Sequence, residues 1–148
     1  MNLLSQLNPW LNRPVRVDFV DAPPREGRLA AVHTDYLTLS HHERLLHCPI
    51  GHINSLRRRL SAAPRAVSAD LAAELSALPA TFAEWLEGAA GAWVEFNTGG
   101  PGEASGRLEH YDGFGFDLEE KDEIGYHAAP QIRWIGRRAE PSQSPKRP

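Results

Sequence analysis

A single cysteine, Cys48, stands among the 148 residues. No intrachain disulfide is therefore possible, and a reducing compartment is the expected setting. No apolar run approaches the roughly 18 residues that a membrane span needs. The N-terminus shows no basic segment leading into an apolar stretch and a small-residue cleavage site, so a cytoplasmic location and no membrane partner are expected. Catalytic signatures are also missing. Thr98-Gly-Gly-Pro-Gly-Glu103 lacks the Lys-Ser/Thr that a phosphate-cradling loop requires, and there is no nucleophile elbow. His41, His42, His47, Cys48 and His52 match no common zinc spacing. The expectation is a non-enzyme with no metal and no cofactor.

A strong net charge is absent too: the total is −3, which excludes a simple basic nucleic-acid glue. The distribution is uneven, however. Through Leu60, eight arginines stand against five carboxylates; beyond it, eight basic residues stand against fourteen acidic ones. A basic first half and an acidic second half are either two solvated surfaces or faces that attract each other in an oligomer.

What the chain does contain is a repeat. Gly27–Arg59 aligns without a gap to Gly106–Arg138, a constant offset of 79. Gly-Arg-Leu opens both copies, Leu39 matches Leu118, Ile53 matches Ile132, and Arg58-Arg59 matches Arg137-Arg138. Upstream, Trp10-Leu11 recurs as Trp85-Leu86, and Val15, Val17, Phe19 recurs as Val94 and Phe96 beside Trp93. Duplication of a module this size points to a self-associating building block.

Each copy reads as helix, then five short strands. Leu3, Leu4, Leu7, Trp10 and Leu11 form one helical stripe with a break near Asn8-Pro9. Period-two alternation predicts a strand at Val15–Phe19, and further strands are expected at 28–33, 36–40, 45–49 and 53–56. In the second copy, Ser68 caps one helix, and Thr81 with Glu84 forms a capping box for another after Pro79. Strands follow at 93–96, 106–111, 114–118, 124–128 and 132–135. Five strands in so short a span are expected to curl into a small barrel, whose fourth and fifth strands leave edges that neighbours can pair. The expected organisation is repeat one over 1–60, a linker over 61–67, repeat two over 68–139, and a disordered tail over 140–148.

Gly106-Arg-Leu-Glu-His-Tyr-Asp112-Gly-Phe114-Gly-Phe-Asp-Leu118 resembles the first Sm motif of the bacterial RNA chaperone Hfq, and Tyr126-His127-Ala128 before Ile132 resembles the second. In copy one His33 and Asp35 stand where the motif has Asp and Phe, and His47-Cys48-Pro49 aligns with Tyr126-His127-Ala128. The resemblance implies a mainly β protein (α+β in class) of two tandem Sm-like five-stranded barrels, each preceded by a helix. It further implies a homo-oligomer, a trimer closing as a pseudo-hexameric ring, that binds single-stranded RNA as a chaperone or post-transcriptional regulator. Phe114 would stack on a base with Asp112 bracing its turn, and Tyr126 and His127 would line the pore. In copy one the corresponding candidates are Tyr36, adjacent to the Phe position on the opposite pleat, and His47, aligned with Tyr126, and Arg16, Arg57 and Arg58 would contact phosphates. The rival reading is a structural or scaffold Sm-like protein, of the spore-coat type or a protein–protein assembly module, that has lost RNA binding. The tryptophans read as packing residues, although Trp134, where copy one has Ser55, is open to facing a neighbour.

Overall fold

The computed structural model describes residues 3–140, so the expected tail lies almost wholly outside the described residues. The chain is mainly β with a few short helices. The first half comprises α1 (Leu3–Leu7), a 3₁₀ turn (Asn8–Trp10), β1 (Pro14–Phe19), β2 (Arg25–Val32), β3 (Tyr36–His41), β4 (Arg44–Pro49) and β5 (Ile53–Arg58). The second comprises α2 (Ala69–Ser76), α3 (Phe82–Gly88), β6 (Trp93–Phe96), β7 (Ala104–Glu109), β8 (Gly115–Glu120), β9 (Glu123–Ala128) and β10 (Ile135–Arg137). Among the described residues no helix is long and apolar enough to cross a membrane.

Local chemistry accounts for these elements. Alternation in β1 buries Val15, Val17 and Phe19 and leaves Arg16 outside. The Ser68 hydroxyl accepts from Leu71 N to start α2, and the Thr81–Glu84 box starts α3. His42 and Glu43 both take left-handed backbone angles, the geometry of a two-residue hairpin between β3 and β4. Gly27 and Gly106, which open the repeats, sit at close crossings. A Cβ there would lie 2.8 Å from the Ser40 carbonyl oxygen and 2.6 Å from that of Glu119.

The strands form one antiparallel ten-stranded open sheet in the order β5-β1-β2-β3-β4-β10-β6-β7-β8-β9. Separate barrels were expected, but the ladder is continuous because β10 pairs on both sides, with Ile135 opposite His47 of β4 and Phe96 of β6. The fourth strand of one repeat thus meets the fifth strand of the other inside a single chain. The last strand starts later than the predicted 132–135. Arg133 N donates to the Asn97 side chain at 2.8 Å, and Asn97 Nδ2 donates to Gln131 O at 3.1 Å, which diverts that segment's backbone from the ladder.

Each half has its own core, and the halves exchange an aromatic. Trp134 enters the first core beside Val17, Leu29, Leu39 and Cys48, while Tyr36 enters the second beside Phe82, Trp85 and Phe116. Trp134 packs on Phe19 with ring centroids 5.1 Å apart, and the Arg25 guanidinium lies 4.4 Å over it. A buried tryptophan removes roughly 150–250 Å² from water, so this exchange couples the repeats strongly.

Candidate functional site

The turn before β8 carries the first candidate surface. Asp112 Oδ1 accepts from Phe114 N and Gly115 N, both at 2.9 Å, and Tyr126 Oη donates to Asp112 Oδ2 at 2.9 Å. The backbone bond from Gly115, then that from Phe114, then the Tyr126 hydroxyl hold the Asp112 carboxyl below its ordinary range. Gly115 is required here, since a Cβ would strike the His127 carbonyl oxygen and the Tyr126 ring. Phe114 in this turn is 58% exposed, and on β9 Ile124 is 70% and Tyr126 53% exposed. His127 points inward against Phe96, centroids 5.2 Å apart, and burial lowers its pKa.

The same positions in the first half have the opposite fate. Leu45 and His47, 79 residues before Ile124 and Tyr126, are 2% and 0% exposed. They are covered because β10 lies beside β4 and α3 lies across its end. His47 packs 4.8 Å from Trp85, Tyr36 Oη donates to Pro79 O at 2.7 Å, and Phe82 N donates to Asp35 Oδ1 at 2.8 Å. Burial pushes the Tyr36 phenol up to about 12 and His47 down to about 3. Thr38 Oγ1 bridges His33 Nε2 and His47 Nδ1 at 2.9 Å each. Tyr36 and His47, expected among the RNA-contacting residues, are fully buried and offer no ring face to a base; the second repeat covers both. Cys48 is likewise sealed, its thiol pushed up to about 12 by burial.

A second surface lies on the first half. A groove of about 1010 Å³ is walled by β1, β2, β5, the β3–β4 hairpin and the linker, and it carries six arginines against two glutamates. Arg16 and Arg57 share Asp18, at 3.0 and 3.1 Å. Arg28 donates to Asn12 O before β1 at 3.0 Å and to Ala63 O in the linker at 3.2 Å. Arg58 lies 5.4 Å over the Trp10 ring. Among the described residues, Arg59 and Arg65 have no carboxylate within ion-pair distance.

The expected site residues therefore fall into three places. Asp112, Phe114 and Tyr126 come together at the edge of the second half with His127 behind them. Arg16, Arg57 and Arg58 come together in the groove of the first half. Tyr36 and His47 lie inside. Sequence reading missed the linker as a wall of the groove, although Arg65 within it was a visible signal. Among the described residues no group of three or more His, Cys, Asp or Glu side chains is placed to hold a metal ion. The chain matches no known family model and no curated protein.

Proposed function

We propose that this chain is a tandem Sm-like assembly protein, a non-enzyme in which three copies join edge to edge into a ring of six barrel-like units. The observation that carries this reading is the difference between β4 and β9. The two strands occupy equivalent places in their repeats, yet β4 is paired and covered while β9 is an outer edge with Ile124 and Tyr126 exposed. β5, the other end of the sheet, is the counterpart of β10. Under this reading the register that sets Ile135 opposite His47 within the chain repeats between copies, with Leu56 of one opposite Tyr126 of the next. An apolar unpaired edge is an aggregation hazard, and closed symmetry removes it. Tyr126, expected to line the pore, stands on that edge, and Phe114, expected to stack on a base, stands in the turn before the neighbouring β8, which favours assembly over RNA for both. The test is the solution mass of the full-length chain, by light scattering after size exclusion at micromolar concentration. Three times 16.4 kDa is expected, and a monomer would overturn the ring.

A second reading, single-stranded RNA binding of the Hfq type, is favoured by the arginine groove, because phosphate contacts dominate such affinities. Under it, short A-rich and U-rich RNAs bind with steep salt dependence, and Arg57→Ala with Arg58→Ala weakens both alike. Unchanged binding in that variant would remove the reading.

A further inference from the structure

Within the chain, the junction between the repeats is held by a charge cluster and an aromatic plug. Arg44, beside the β3–β4 hairpin, meets Glu95 of β6 at 2.8 Å, and Arg138 meets the same carboxylate at 3.3 Å. Glu95 is only 13% exposed in its side chain, so this pair is better shielded than a surface one. At the offset of 79, Arg44 corresponds to Glu123, Glu95 to Arg16, and Arg138 to Arg59. The central pair is thus conserved at the two outer ends of the sheet with its signs exchanged. The plug is not: Trp134 corresponds to Ser55, which hydrogen-bonds Asp18 at 2.9 Å. Gly136, where a Cβ would lie 2.6 Å from the Leu45 carbonyl oxygen, corresponds to Arg57. Arg57 therefore brings to the outer edge a side chain for which the inner crossing has no room.

Resting on the ring reading above, we infer that the basic groove on β1 and β5 receives the acidic β8–β9 hairpin of a second copy, with Glu123 seated on Arg16. Glu120, Asp122 and Glu123 are exposed, and among the described residues they have no ion-pair partner within the chain. Opposite them the groove offers Arg16, Arg57, Arg59 and Arg65, two of which have no carboxylate of their own. Charge of opposite sign across an interface sets orientation and partner choice. Here it permits only head-to-tail contact, because groove against groove and hairpin against hairpin both repel. The inner junction is tethered within one chain and plugged by Trp134, and the outer junction is electrostatic and reversible.

Arg16→Glu, Glu123→Arg and the double variant test this in the full chain, with folding checked by circular dichroism. Oligomer mass is read by sedimentation at about 0.05 and about 1 M salt, a change that shortens the screening length to about 3 Å. The expected result is a wild-type oligomer that loosens in high salt. Each single variant should associate about tenfold or more weakly, and the double variant should recover most of the loss. An oligomer indifferent to salt and to both single changes overturns the charge-docked junction and leaves the ring standing. A wild-type monomer in low salt overturns the ring and this inference with it. Binding of a single-stranded RNA probe that is weakened by Arg16→Glu, with mass unaffected by Glu123→Arg, assigns the groove to RNA instead and overturns the proposal.

Discussion

Replacing Trp134 by Ala tests the claim that the repeats are locked by exchanged aromatics. The ring is 1% exposed, lies 5.1 Å from Phe19 and carries the Arg25 guanidinium at 4.4 Å. Burial of roughly 150–250 Å² at about 25 cal/mol per Å² is worth roughly 4–6 kcal/mol. Measured truncations of buried aromatics lie at about 3–5 kcal/mol, so a loss of about 4 kcal/mol is expected. At about 0.05–0.15 kcal/mol per residue, a chain of this length holds roughly 7–22 kcal/mol, and the variant stays folded in water. The assay is urea unfolding followed by far-ultraviolet circular dichroism and tryptophan fluorescence. Because the ladder between β10 and β4 contains one residue pair, Ile135 with His47, loss of the plug should also split a single transition into two. Trp10→Ala is the control, since that ring is half-buried and lies outside the exchange; it should lower stability less and leave the transition single. A loss below about 1 kcal/mol with one undivided transition would refute the coupling.

Acid should destabilise the protein before its carboxylates titrate. Burial holds His47 at about 3 in the folded chain against an ordinary 6.5, so the unfolded chain binds a proton that the folded chain refuses. Stability is complete above pH 6.5 and falls as pH drops from there toward 3; His47→Gln should flatten the decline between pH 6.5 and 5 in urea titrations. The Cys48 thiol, pushed up to about 12, should react with a disulfide reagent at pH 8 only as fast as the protein opens, measured by absorbance against the urea-unfolded chain. Gly136→Ala places a Cβ 2.6 Å from the Leu45 carbonyl oxygen and should lower stability by about 1–3 kcal/mol. By contrast, Gly88→Ala, in α3 with open space around it, should raise the thermal midpoint slightly.

Much of the architecture was legible. Alternation in Val15–Phe19, the Ser68 and Thr81 caps, and the recurrence of Gly27 as Gly106 are local signals, and the structure places strands, helix starts and close crossings there. The Asp112–Phe114 turn was reached through the resemblance to the first Sm motif, and the structure builds it from a side chain that accepts from the backbone two and three residues on. The continuous sheet, the late start of β10 and the groove wall at Arg65 were not. Each depends on contacts between residues far apart in the chain, which no periodicity records.

By itself the sequence determined that two copies of one strand pattern exist, which faces of those strands are apolar, and that basic charge lies in the first half and acidic charge in the second. Tertiary structure decided what those equivalences become. His47 and Tyr126 share a place in the repeat, yet one is sealed under Trp85 and the other stands at the edge of the sheet. Trp134 and Ser55 share another, yet one plugs a core and the other holds Asp18. The physical reason is that burial belongs to pairs of surfaces: a repeat specifies the same surface twice, and only the fold determines which copy has a neighbour.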